Sequence, residues 1–197
     1  VNAAGTAGTQ TTSTGPMGQD FTVVTPIAVT HLGVFDSASD GIKRTLTSQL
    51  WQRSGNTGTK LAELQFSPAS QGTLVNGNRF KPLDTPLILQ PGNYSILAYG
   101  YGGSAGTPNT YEPNGNELVG GPGAATKTKN DNGGMITFGN TRYGSTPGVF
   151  PASTIANPFY FSAATFEFTG SLFADQIVTN VQAPMLGVNA STYLRMP

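Results

Sequence analysis

The chain has 197 residues, a length that suits one domain with or without a tail. Its ten basic and ten acidic residues cancel, so no excess charge would attract nucleic acid or an anionic membrane. The absence of cysteine excludes disulfides, thiolate metal sites and cysteine nucleophiles. No run of about 18 apolar residues occurs, so we expect no membrane insertion.

Alternating apolar and polar residues predict strands along most of the chain. Segment 94–101 is apolar on both faces, which predicts a central strand, whereas 79–83 and 86–90 are bounded by prolines as edge strands are. Gly, Pro, Thr and Asn mark turns between the strands. The pattern predicts an all-β fold, a single jelly-roll-like β-sandwich of about ten short antiparallel strands. The remaining strand segments are 20–25, 27–35, 45–53, 60–66, 135–140 and 159–170.

Composition divides the chain into three parts. Residues 1–16 are small and polar, which indicates a flexible leader or linker. Residues 17–170 form the predicted sandwich module and include a long loop, 102–134, that is rich in Gly, Asn, Thr and Pro and has no sustained period. Residues 171–197 change character, and we interpret them as a linker and the start of a following module in a longer protein.

Three stretches carry a family resemblance. They are "MGQDFTVVTPIAVTHLGVFDSASDGI", "RFKPLDTPLILQPGNYSILAYGYG" and "GGMITFGNTRYGSTPGVFP", the last followed by "ATFEF". Together they resemble an uncharacterised β-sandwich module of secreted and surface proteins in Planctomycetes and other bacteria, often ones with a PEP-CTERM sorting signal. The resemblance implies export and neighbouring domains in a multidomain bacterial surface protein. It implies no catalytic residues, and this sequence carries no PEP-CTERM signal.

Trp51 is the first candidate for ligand binding. Strand alternation places it on one face with Gln49 and Arg53, opposite Leu46 and Leu50. An indole matches the apolar face of a sugar ring, and the polar neighbours could hydrogen-bond its hydroxyls. The alternative is that the long loop folds over this face and buries Trp51.

Four tyrosines form the second candidate group. Tyr99, Tyr101, Tyr111 and Tyr143 lie in or beside the long loop. Aromatic side chains on loops at one end of a sandwich are typical of binding sites. The alternative is that these rings attach the loop to the sheet.

Two aspartates are candidate metal ligands. Asp36 and Asp40 flank a short Ser-Ala-Ser stretch, and calcium prefers carboxylate and carbonyl oxygens. Ala38 stands where an EF-hand-like loop needs an oxygen ligand, so only a looser structural calcium site is compatible with the sequence. The alternative is turn capping, in which each carboxylate accepts backbone N–H bonds.

These observations favour a non-catalytic extracellular or cell-surface module for binding or adhesion, with a polysaccharide or glycan as the expected ligand. A structural spacer with no small ligand is the first alternative. A polysaccharide-active enzyme domain is the second, although the ten acids are scattered and the single histidine, His31, has no partnered nucleophile. We therefore assign no catalytic residue and no cofactor apart from the calcium alternative.

Overall fold

The computed structural model describes residues 3–6, 15–101, 130–156 and 161–170. A 3₁₀ turn, Ser37–Ser39, separates the second strand from the third. Within these ranges no helix has the length and apolarity that crossing a bilayer requires. The strands in chain order are β1 (Met17–Val23), β2 (Ile27–Phe35), β3 (Leu46–Ser54), β4 (Thr57–Phe66), β5 (Thr73–Val75), β6 (Asn78–Leu89), β7 (Gly92–Tyr99), β8 (Ile136–Tyr143), β9 (Ser153–Ile155) and β10 (Ala164–Gly170).

The ten strands form two antiparallel sheets. One has six strands in the order β4-β3-β7-β1-β8-β9, and the other has four in the order β10-β2-β6-β5. The predicted all-β sandwich of about ten antiparallel strands is confirmed. β7 lies between β3 and β1, which agrees with the central position expected for 94–101.

One strand differs from its prediction. Segments 79–83 and 86–90 are parts of a single strand, β6. Its pairing with β2 covers Asn78 to Pro82 and Leu87 to Leu89, with a shift of register between the two runs. Pro86 lies in this irregularity, where residues 83–86 have no partner on β2 and a missing backbone N–H is tolerated. The prolines therefore mark a bulge within one strand and not a gap between two strands.

A first buried layer lies between the two sheets. Alternate residues of each strand point into it, because successive side chains of a strand face opposite sides of its sheet. Phe21, Leu50 and Ile96 come from the six-stranded sheet, while Leu32 and Leu89 come from the four-stranded sheet. Burial of these side chains is the main favourable term for holding the sheets together.

A second buried layer covers the outer face of the six-stranded sheet. Trp51 and Leu97 are buried, yet they lie outside the core cluster between the sheets. The connection between β8 and β9, residues 144–152 and here called the β8–β9 loop, contributes its Phe150 ring, whose centroid is 5.4 Å from that of Trp51. The six-stranded sheet is therefore packed on both faces.

Parts of the predicted leader pack on the module. The Thr6 carbonyl accepts a hydrogen bond of 2.7 Å from the Ala38 N–H, and Gly15 and Pro16 are buried. The Pro16 carbonyl accepts a bond of 2.9 Å from the Gly144 N–H, at the start of the β8–β9 loop. Residues 102–129 of the predicted long loop and the predicted following module, 171–197, lie outside the described residues, so those predictions stay predictions.

Candidate functional site

A buried ion pair lies at the centre of the outer layer. Arg142 of β8 donates two hydrogen bonds of 2.9 Å to Asp20 of β1, from Nε to Oδ1 and from Nη2 to Oδ2. The Ser95 hydroxyl of β7 donates a third bond, of 2.5 Å, to Asp20 Oδ1. Asp20 is 3% exposed and Arg142 is 1% exposed. Strand periodicity cannot detect this pair, because the two residues are far apart in sequence and each looks like an ordinary polar position on a strand.

Arg53 brings a second guanidinium to the same carboxylate. Its Nε lies 3.5 Å from Asp20 Oδ2, within range of an ion pair. That Nε is buried and has no hydrogen-bond partner among the described residues. Arg142 has further partners, since it donates 2.8 Å to the Pro151 carbonyl and lies over the Phe150 ring at 4.8 Å. All three guanidinium nitrogens of Arg142 therefore donate hydrogen bonds, whereas the Nε of Arg53 has no hydrogen-bond partner among the described residues.

A chain of side-chain hydrogen bonds connects the Trp51 indole to the protein surface. Its Nε1 donates to Gln49 Oε1 at 3.2 Å, and Gln49 Nε2 donates to Glu63 Oε2 at 2.7 Å. Lys60 Nζ donates to the same Glu63 oxygen at 2.6 Å. The hydrogen bond from Lys60, followed by that from Gln49, lowers the pKa of Glu63 against the opposing effect of burial. The predicted grouping of Trp51 with Gln49 is thus a hydrogen-bonded contact.

The Trp51 ring is not an exposed platform in this structure. Only 7% of the residue is exposed, and Phe150 packs against it. Stacking on a sugar needs an open ring face, so direct stacking on Trp51 would require Phe150 to move. The burial agrees with the alternative interpretation, in which a loop covers Trp51. The covering side chain that the structure describes is Phe150, which belongs to the β8–β9 loop. Residues 102–129, which that alternative placed here, lie outside the described chain.

A groove of about 440 Å³ lies at the β8–β9 loop and is lined in part by Phe150. Tyr143, at the end of β8, is 36% exposed, and Val149 is 55% exposed. Phe161 meets the Tyr143 ring edge-on at a centroid distance of 6.5 Å, which holds the ring in place. We call this feature the Tyr143 groove. Its lining residues are Met17, Tyr143, Gly144, Ser145, Thr146, Val149, Phe150, Pro151, Ala152 and Ser153.

The remaining tyrosines have different positions. Tyr99 is half-buried, and its hydroxyl lies 4.0 Å from the place a Cβ would take at Gly148, so it flanks the β8–β9 loop. Tyr101 is fully buried: its hydroxyl accepts the Phe35 N–H at 2.8 Å and donates to the Ala163 carbonyl at 2.6 Å. Burial raises the pKa of Tyr101 well above its ordinary value. Tyr101 therefore packs as a core residue, and Tyr111 lies outside the described residues.

A second, smaller pocket of about 320 Å³ lies at the β3–β4 hairpin. An added Cβ at Gly58 would overlap the Phe150 ring, which shows how closely the hairpin approaches the β8–β9 loop. The hairpin pocket is lined by Gln52, Arg53, Ser54, Thr57, Gly58 and Thr59.

The two predicted metal ligands are engaged with other groups. Asp36 is buried, its Oδ1 accepts the Gly41 N–H at 3.1 Å and its Oδ2 accepts Arg79 Nε at 2.7 Å. Asp40 lies 3.4 Å from Lys43 Nζ. Within the described ranges, no three His, Cys, Asp or Glu side chains come together as a metal site would need. The Gly41 bond is the turn capping that the sequence offered as the alternative, and calcium at Asp36 would have to displace Arg79.

Comparison with known proteins yields a partial likeness. Over 67 residues, 33% of this chain, it is 42% identical to UDP-GalNAc:beta-1,3-N-acetylgalactosaminyltransferase 2 of Xenopus laevis, and it matches that of Xenopus tropicalis equally. The mouse protein of the same name is 42% identical over 65 residues. The matched segment spans only 12–13% of the length of these relatives. No protein-family model matches the chain, and no solved structure does.

Proposed function

We propose that this chain is a non-catalytic carbohydrate-binding module and that the Tyr143 groove is its binding site. The observation that carries the proposal is the half-exposed Tyr143 ring beside an open groove with apolar and hydroxyl-bearing walls. A sugar ring has an apolar face and a polar rim. An exposed aromatic ring can pack on that face, and nearby hydroxyls can bond the rim.

The groove supplies both kinds of contact. Val149 extends the apolar surface of Tyr143, while the hydroxyls of Ser145, Thr146 and Ser153 lie along the lining. None of its described lining residues carries a carboxylate, an imidazole or a thiol. General acid–base and nucleophilic catalysis of glycoside chemistry use such groups, so the lining favours binding over reaction.

The partial match to N-acetylgalactosaminyltransferases supports a role connected with carbohydrate. The shared segment covers about an eighth of those proteins, so we propose no transferase activity for this chain. A position at the cell surface within a large multidomain protein is part of the same proposal. It rests on the low charge, the turn-rich composition and the family resemblance.

A structural spacer is the second candidate function. The burial of Trp51 and Tyr101 favours it, because a spacer uses its aromatic residues for packing rather than for ligands. The two candidates differ in what they require of Tyr143. A glycan-binding module needs the exposed Tyr143 ring for contact with its ligand, whereas a spacer does not.

The test is a glycan array followed by calorimetric titration, with terminal N-acetylgalactosamine among the neutral glycans. Tyr143→Ala should weaken binding of the glycans that wild type binds by about tenfold or more, the loss typical of removing one stacking ring. Ile88→Ala is the matched control, since Ile88 is equally exposed but lies on the four-stranded sheet. Absence of any bound glycan, or full affinity in Tyr143→Ala, would leave the spacer as the better candidate.

A further inference from the structure

We infer that the sandwich is a mechanical link that resists tension along its chain, because such tension shears its strands lengthwise instead of peeling them apart. The inference goes beyond carbohydrate binding and does not depend on it. It rests on three observations: where the chain enters and leaves the sandwich, how the strands pair at those points, and a ring contact between β1 and β10.

The chain enters and leaves the sandwich at opposite ends. It enters β1 at Met17, and β1 runs about 20 Å to Val23. Residues 24–26 alone join β1 to β2, a connection too short to cross the sandwich. β10 ends at Gly170, which pairs with Ile27, the first residue of β2. Gly170 therefore lies at the Val23 end of β1, away from Met17.

Met135, just before β8, gives the same placement independently. Its carbonyl accepts the Val24 N–H at 2.8 Å, and its methyl carbon is 2.8 Å from the place a Cβ would take at Gly170. At the other end of β1, Met17 pairs with Ala98 of β7. Tension between the segments that precede Met17 and follow Gly170 therefore acts along the strands.

β1 is held from both sides against such a pull. It pairs with β7 from Met17 to Val23, and it pairs with β8 along its other edge. The backbone hydrogen bonds of an antiparallel pair stand perpendicular to the strands, so a pull along β1 loads them together. A pull across the strands loads the bond at one end and breaks the bonds one after another. Shear along β1 therefore meets the combined resistance of two strand pairs.

Side-chain hydrogen bonds add to that resistance. Asp20 of β1 accepts bonds from Ser95 of β7 and Arg142 of β8, so one carboxylate fastens three adjacent strands. Thr22 Oγ1 donates to Asn93 Oδ1 of β7 at 2.9 Å. These bonds have to break before β1 slides past its neighbours. The buried ion pair thus gains a mechanical role in addition to its contribution to folding.

β10 is attached to β1 across the core as well as to β2 in its own sheet. It pairs with β2 from Ala164 to Gly170. Its Phe166 ring stacks on Phe21 of β1, with centroids 4.8 Å apart and an interplanar angle of 30°. Tension pulls β1 toward one end of the sandwich and β10 toward the other, which drives the two rings past each other. Since protein interiors are close-packed, that sliding has to displace neighbouring side chains.

The experiment is single-molecule force spectroscopy on the full chain of 197 residues. The chain has no cysteine, so introduced cysteines define where the force is applied. Handles at the two ends of the chain load the sandwich in shear. Handles at Thr45→Cys and Ala69→Cys, both exposed, pull β3 and β4 apart from their adjacent ends, where Leu46 pairs with Phe66. We expect the first direction to need a force several-fold higher than the second.

A matched pair of variants separates mechanical resistance from overall stability. Phe21→Leu removes the ring that meets β10, whereas Phe66→Leu removes an equally buried ring from β4, an edge strand away from β1 and β10. We expect similar losses in the free energy of unfolding in urea, because both variants delete buried ring atoms. Under end-to-end tension, Phe21→Leu should unfold at a distinctly lower force than Phe66→Leu, since forced unfolding is governed by an unfolding rate and not by the equilibrium.

Equal unfolding forces in the two pulling directions would overturn the inference. Equal forces for Phe21→Leu and Phe66→Leu at equal stability would do the same, because the contact between β1 and β10 would then bear no load. The comparison of directions uses no core variant, so it decides the inference even if Phe21→Leu does not fold. Glycan titration is a separate measurement, and its outcome leaves the mechanical inference unchanged.

Discussion

Asp20 and Arg142 are 122 residues apart in the sequence, yet Arg142 donates two hydrogen bonds of 2.9 Å to Asp20 inside the outer layer of the six-stranded sheet. β1 pairs with β8 and brings both residues to adjacent positions, where Ser95 of β7 adds a third bond. The Phe150 ring lies over Arg142 and packs on Trp51. The pair therefore organises the packed outer face of the six-stranded sheet.

Breaking the pair on one side should be strongly destabilising. Asp20→Asn leaves Arg142 and Arg53 facing each other without a compensating charge, and we expect a loss of about 3–5 kcal/mol in the free energy of unfolding. Arg142→Met alone should cost less than Asp20→Asn does, because Arg53 remains as a positive partner for Asp20. The double variant should lose less than the sum of the two, because Asp20 and Arg142 are partners and removing both leaves neither one buried without the other. Urea denaturation measures all three, and additive losses would show that the pair is not coupled.

Phe150 should control the exposure of the single tryptophan. Because Trp51 is buried under the Phe150 ring, we expect blue-shifted emission and weak quenching by acrylamide in wild type. Phe150→Ala should shift the emission to the red and increase quenching. Phe168→Ala is the control, since Phe168 packs on the core between the sheets. If Phe150→Ala leaves the emission unchanged, some other part of the chain covers the indole.

Tyr101 should contribute to stability through its hydroxyl. Tyr101→Phe removes the bonds to Phe35 and Ala163, and we expect a loss of about 1–2 kcal/mol. The folded protein raises the pKa of Tyr101 above the unfolded value near 10. Its contribution is therefore complete below pH 10 and declines as the pH rises further. Chemical denaturation between pH 8 and about 11.5 should show a smaller alkaline loss in Tyr101→Phe than in wild type.

Asp36 should stabilise the fold through Arg79 whether or not calcium is present. Asp36→Asn keeps an acceptor for the Gly41 N–H but removes the partner of a guanidinium, and we expect a loss of about 1–3 kcal/mol. Thermal unfolding in EDTA and in calcium should give the same loss, since the carboxylate is already engaged. A calcium-dependent rise in Tm that disappears in Asp36→Asn would instead support the looser calcium site.

Strand periodicity is sufficient to predict most of the sandwich. β2 has the predicted bounds, and β7 is central because its residues are apolar on both faces. The short strands β5 and β9 were missed, since three residues are too few to show a period. The prolines of β6 were interpreted as a break between two strands, because a sequence does not show that one strand continues through a shift of register such as the one at residues 83–86.

The sequence by itself determined the all-β class, the alternation of β3 and hence the grouping of Trp51 with Gln49 and Arg53. These are local properties, set by the two-residue period of a strand. Only the tertiary structure decided what covers Trp51, that Tyr101 belongs to the core, and that Asp20 is shared by two arginines. Such contacts join strands that are remote in sequence, and their partners are fixed by sheet order and by loop packing.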